Sequence, residues 1–189
     1  MTPFEYLAGT MMLIVGLGIT RLLSGLVDRF RDRHLSKPHW IPLVWALLVF
    51  VFQMQFLWAA FELNTLIKTW TASAFIFMLV YALGLFLAGV LVIPRSRAEK
   101  KEDAFEFFLR DGRWALMALA FIQLWSLLLN PVLFNVHFLD LWNLFGLLGI
   151  AILVITFFSK SRQGWAIGTI LYLVYDVVII MKITPGQYH

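Results

Sequence analysis

Gly16-Leu-Gly-Ile-Thr-Arg21-Leu-Leu-Ser24-Gly-Leu-Val-Asp28 closes the first apolar run of the chain, and its reading decides the fold. It sets an arginine inside a hydrophobic stretch. The segment that follows at once, Asp28-Arg-Phe-Arg-Asp-Arg-His-Leu-Ser-Lys37, carries Arg29, Arg31, Arg33 and Lys37. A run of about 20 apolar residues crosses a bilayer as a helix, and a short basic loop after it marks the cytoplasmic side.

The rest of the composition agrees. The 189 residues are 61% hydrophobic and 14% charged, where soluble domains are about half apolar and about a quarter charged. That length holds six spans with short loops, so residues 1–189 read as one integral membrane domain with no room for a soluble enzyme domain. The absence of cysteine excludes disulfides, thiolate catalysis, zinc–thiolate sites and palmitoylation. The net charge of +4 reports topology rather than nucleic-acid binding, because the basic residues sit in short loops between apolar runs. Met-Thr-Pro-Phe-Glu lacks the positive start of a signal peptide, so the first span is expected to be retained.

Apolar length places spans over 4–27, 40–63, 70–93, 114–133, 139–159 and 164–183. Amides in hydrocarbon must be satisfied within the segment, and these runs are too long for barrel strands. All six are therefore expected to be helices. Twelve of the fifteen basic residues fall in the 1–2, 3–4 and 5–6 loops, and only Lys68 and Lys182 fall on the other side. The positive-inside rule then places both termini outside the cytoplasm, in what reads as a bacterial inner membrane. Trp40, Trp70, Trp114 and Trp165 are expected at headgroup level. Trp45, Trp58, Trp125 and Trp142 are read as packing residues.

Residues 95–113 hold Arg95, Arg97, Lys100, Lys101, Arg110 and Arg113 among five acidic residues. Phe105, Phe108 and Leu109 recur at helical spacing, consistent with an interfacial helix under the bilayer or a solvated connector. The 4–5 link, 130–140, reads as an outer turn or lid. A shift of 102 residues lays 16–28 over 118–130, matching Arg21 with Gln123, Ser24 with Ser126 and Asp28 with Asn130. Such an offset would make the fold an inverted 3+3 repeat.

Polar residues inside a span mark function or helix contact, because hydrocarbon makes them costly. Arg21, Ser24 and Asp28 share a face of the first span, as do Gln55 and Glu62 on the second, with Trp58 between. Gln123, Ser126 and Asn130 share one on the fourth, and Thr169, Tyr172 and Asp176 one on the sixth. The third span is almost wholly apolar and is expected to face lipid. Asp176 lies about 3 Å from the middle of its span and Arg21 about 8 to 9 Å to the cytoplasmic side. Arg21 can snorkel to the loop arginines. Gly16, Thr20 and Ser24 form a small-residue stripe suited to a helix seam or an oligomer.

These positions predict a small multi-pass transport protein, a channel or carrier for an ion or small solute. Asp176 is its mid-membrane, proton-binding carboxyl and Gln123 and Gln55 are neutral ligands. Tyr172 and Ser126 orient the carboxyl, Arg21 is an inner gate, and Glu62 lies at the outer end. The alternative is a non-conducting scaffold, sensor or effector subunit acting through Arg29, Arg31, Arg33, Arg95, Arg97, Lys100 and Lys101 on a cytoplasmic protein partner. Expected partners are the lipid bilayer and a second copy of the chain, with no nucleic acid. His34, His39, His137 and His189 have no metal-binding spacing, and neither a cofactor nor an enzymatic activity is expected.

Overall fold

Each apolar run folds as a continuous helix, because only intrahelical hydrogen bonds satisfy its amides away from water. The computed structural model describes residues 3–31, 39–66, 71–93, 104–134 and 141–183. In chain order these form α1 (Pro3–Arg31), α2 (Trp40–Leu66), α3 (Ala72–Val92), α4 (Ala104–Phe107), a π-helical turn (Phe108–Gly112), α5 (Trp114–Phe134), α6 (Leu141–Phe158) and α7 (Arg162–Ile183). No strand occurs among the described residues. Four helices, α1, α2, α3 and α7, are long and apolar enough to cross a membrane and suggest an integral membrane protein. Among the described residues, α5 and α6 add the apolar stretches Trp114–Leu128 and Asn143–Phe158. The first helix outlasts its expected end and takes Arg29 and Arg31 into its last turn, where cations favour the helix dipole.

The expectation that the third span faces lipid is overturned. Helix α3 is the centre of the bundle, packed against α1, α2, α5 and the π-helical turn. Ala74, Met78, Ala82, Leu85, Ala88 and Val92 form its buried line, with Gly84 and Gly89 beside them. Small residues let neighbouring backbones approach, and in a membrane close packing rather than apolarity selects the buried helix. Thr71 starts this helix, its hydroxyl accepting from the Ala74 amide at 3.2 Å.

The Gly16–Thr20–Ser24 stripe, read as a helix seam or an oligomer face, is not the α1 face that packs within the chain. A Cβ on Gly16 would meet nothing within 4 Å. Thr20 and Ser24 are exposed and hydrogen-bond back to their own helix. The seam runs through Gly18 and Gly25 instead. A Cβ at Gly18 would come 3.1 Å from the Phe86 Cα, and one at Gly25 would come 2.9 Å from an Ile93 methyl carbon.

Helices α1, α2, α3 and α7 meet the segment 104–112 at one end of the bundle, and its buried aromatics show that it is not a solvated connector. Phe105 and Phe108 are fully buried. His39, just ahead of α2, lies 4.7 Å from the Phe105 ring, and Trp165 of α7 meets Phe108 edge-on at 5.7 Å. Arg29 of α1 lies over Phe107, and Arg162 of α7 over Phe105. Trp114 of α5 meets Phe157 of α6 at 5.2 Å. The Arg113 amide closes the π-helical turn on the Phe108 carbonyl at 2.8 Å. Only glycine fits at 112, since a Cβ would overlap the Phe108 ring and lie 3.1 Å from the Val92 carbonyl that ends α3. Trp165 therefore serves as a core residue, not a headgroup anchor, and its indole N–H donates to the Ser159 carbonyl at 3.0 Å. Trp40 and Trp114 are exposed. Trp70 and the 4–5 link beyond Phe134 lie outside the described residues.

Candidate functional site

Four polar side chains fall within about one residue of the midpoints of their helices: Gln53 on α2, Tyr81 on α3, Gln123 on α5 and Tyr172 on α7. Their positions expose them to the full cost of hydrocarbon unless protein groups satisfy them. They divide into two sites.

At the first, the Gln123 side-chain amide donates to the Tyr172 hydroxyl at 2.8 Å. One turn along α7 from Tyr172 lies Asp176, 3% exposed. Among the described residues its carboxyl has no hydrogen-bond or ion-pair partner. No compensating cation is available from the neighbouring helices, since α3, α5, α6 and residues 40–60 of α2 contain no charged residue. Aromatic rings surround Tyr172. Trp45 lies 5.2 Å and Tyr175 5.4 Å from the Tyr172 ring, with Phe52 at 6.4 Å. The indole of Trp45 donates to the Thr169 hydroxyl at 3.0 Å, and that hydroxyl donates to the Trp165 carbonyl at 2.7 Å. Tyr175 presses on Gly149 of α6, where a Cβ would come within 2.5 Å of the phenolic oxygen.

At the second, the Gln53 amide nitrogen lies in a notch between Gly18 of α1 and Gly89 of α3 and donates to the Leu85 carbonyl at 3.1 Å. The side-chain carbonyls of Gln53 and Gln123 are both buried and lack a donor among the described residues. Orphaned acceptors of this kind are rare in folded proteins and point to water, an ion or a functional guest.

No protein-family model matches this chain, and no curated protein or solved structure shows significant similarity to it.

The structure brings together Asp176, Tyr172 and Gln123. Ser126 is half-buried one turn from Gln123. Arg21 is half-buried on α1, which packs on α3 and α2 rather than on α7, so it does not join this group. Gln55 is half-buried, and Trp58 on its face of α2 is 60% exposed, so that face points away from the core. Gln53, two residues earlier, is the inward glutamine. The side chain of Glu62 lies outside the described residues, as do Arg33, Arg95, Arg97, Lys100 and Lys101. Arg29 sits 4.5 Å over Phe107, and Arg31 is exposed.

The chemistry of the first site is acceptor-rich. Tyr172 receives the Gln123 amide and keeps its own proton to give. The Asp176 carboxyl and the Gln123 carbonyl each have lone pairs to fill. Such a site suits a cation or a guest that carries protons.

Proposed function

We propose that this chain is a small membrane transport protein, a carrier or channel for an ion or small solute whose pathway passes Asp176, Tyr172 and Gln123. One observation carries the reading: a buried carboxyl without a partner among the described residues stands beside a hydrogen-bonded Gln123–Tyr172 pair, close to the middle of apolar helices. A carboxyl whose only task is to tie helices together is expected to have a partner.

In this reading all six long helices span the membrane, α5 and α6 included, with both termini outside and the 104–112 segment at the cytoplasmic face of a bacterial inner membrane. The distribution of basic residues supports that orientation. The inverted repeat has support only from sequence. Helix α1 lies chiefly on α3, whereas its counterpart α5 lies on α3 and α6. The exposed Gly16–Thr20–Ser24 stripe offers a face for a second copy of the chain.

The test is flux from proteoliposomes, for protons and potassium, comparing the unchanged protein with Asp176→Asn. Flux that falls in the variant while the fold is kept supports the pathway. Flux unaffected by the change removes Asp176 from it. A second reading, a non-conducting scaffold or sensor, draws on the surface around 104–112, where Arg31, Lys160 and Arg162 are exposed. Loss of activity on neutralising those residues, with no flux for any small ion, would favour it.

A further inference from the structure

Resting on the transport reading above, we infer that the species bound at Asp176 is a proton, taken up and released by the carboxyl itself, and not a metal cation. Three observations support this. First, the oxygen supply is small. Among the described residues, Asp176, the Gln123 carbonyl and the Tyr172 and Tyr175 hydroxyls are the side-chain oxygens the site offers, and helix carbonyls are occupied by their own amides. Filters that strip alkali cations of water use rings of free backbone carbonyls, which continuous helices cannot provide.

Second, the walls are closed by rigid groups. Tyr172 is fully buried, with Trp45, Phe52 and Tyr175 around it and Tyr175 already tight against Gly149. Such a packed aromatic shell leaves little room for a hydrated cation beside Tyr172, whereas a proton adds almost no volume.

Third, among the described residues no fixed cation neutralises the carboxyl. On its own helix the nearest charged residue toward the amino terminus is Arg162, about 21 Å away along the axis, and Lys182 lies about 9 Å on toward the other end. Among the described residues the titratable groups facing it are Tyr172 and Tyr175 of α7, and Tyr81 of α3 lies near Tyr172. Gln123 of α5 is neutral, α6 contributes no charged side chain, and Trp45 and Phe52 of α2 are neutral as well. Phenols of ordinary acidity stay protonated at neutral pH. Charge at the site is therefore controlled by the one carboxyl. Binding a proton converts the carboxylate to the neutral acid, and releasing it restores the anion. The Gln123–Tyr172 pair positions a donor and an acceptor beside it.

The experiment is infrared difference spectroscopy of the reconstituted full chain from about pH 4 to about pH 9, a range that covers documented buried carboxyls. The expected result is a protonated-carboxyl band that fades as pH rises, is missing in Asp176→Asn, and moves when aspartate is labelled with carbon-13. Asp176→Glu, which keeps a carboxyl but should take its band out of the aspartate label's reach, keeps the test decisive if Asp176→Asn does not fold. A band that never changes with pH means a permanently protonated structural group and overturns the inference. So does a carboxylate that stays ionised throughout, or potassium flux that depends on Asp176. A titrating Asp176 band in a protein that moves no ion would sustain proton binding and sink the transport reading instead.

Discussion

The Gln123 amide and the Tyr172 hydroxyl meet at 2.8 Å, joining α5 to α7 near the middle of both helices. The contact bridges elements that otherwise pack elsewhere, α5 on α3 and α6, and α7 on α6 and α2. It therefore fixes where Asp176 stands relative to α5. Without it, the two helices would be related only through α6 and through α2 and α3.

Tyr172→Phe removes the acceptor and leaves the buried Gln123 amide without one. Interhelical hydrogen bonds in membranes average about 0.6 kcal/mol, and an orphaned buried donor adds about 1–3 kcal/mol. We expect Tyr172→Phe to destabilise the bundle by about 1–2 kcal/mol in reversible unfolding from detergent micelles. The double variant Tyr172→Phe/Gln123→Leu should cost less than the sum of the single changes. Strict additivity would mean that the two residues are not coupled.

Gly89→Ala should be costly, and Gly16→Ala should not. A Cβ on Gly89 would lie 3.0 Å from the Gly18 carbonyl oxygen and 2.6 Å from the Gln53 amide nitrogen, so α1 and α3 would have to separate. Overpacking of this kind costs about 1–3 kcal/mol. At Gly16 the added methyl meets open space within the protomer. Unfolding of the two variants, run beside a cross-linking assay, separates a seam inside the chain from one between copies. A Gly16→Ala change that alters only the oligomeric state identifies the stripe as a protomer contact.

At the end where the helices converge, burial rather than charge should dominate. Phe108→Ala removes a fully buried ring from contact with Trp165, a change that costs about 3–5 kcal/mol in well-packed cores. Glu106→Gln breaks only the exposed 3.9 Å pair with Arg162, and exposed pairs contribute about 0–1 kcal/mol. Thermal unfolding in detergent should show a large fall in midpoint for the first and almost none for the second. Equal effects would mean that the segment is held by its charges.

The helices were legible in the sequence because apolar length leaves hydrocarbon-bound backbone no other regular form. Asp176 was legible for the same reason, as a charge the solvent cannot support. Which helix lies at the centre was not readable from apolarity, since lipid and protein interior accept the same side chains. The usable signal in α3 was its run of small residues, Ala74, Ala82, Gly84, Ala88 and Gly89. Gln53 was missed because pairing Gln55 with Glu62 selected one face of α2, and residues two apart on a helix point about 200° away from each other. Phe105 and Phe108 looked like snorkelling aromatics because a charged connector carries no period that distinguishes a plug from a surface helix.

Gln53→Leu distinguishes a structural glutamine from one on the pathway. Its amide donates to the Leu85 carbonyl, which already accepts an amide within α3, while its own carbonyl has no donor among the described residues. Leucine has a similar shape and removes the orphaned acceptor, so its effect on stability should stay within about 1 kcal/mol. Gln53→Ala leaves a void between Gly18 and Gly89 and should cost about 2–4 kcal/mol. With the leucine variant folded, flux becomes informative. Unchanged flux makes Gln53 a wedge that sets the α1–α3 crossing, and the pathway then stays on the α5–α7 side. A loss of flux at unchanged stability would extend the pathway to the notch, where water bound at the Gln53 carbonyl would link the two polar sites.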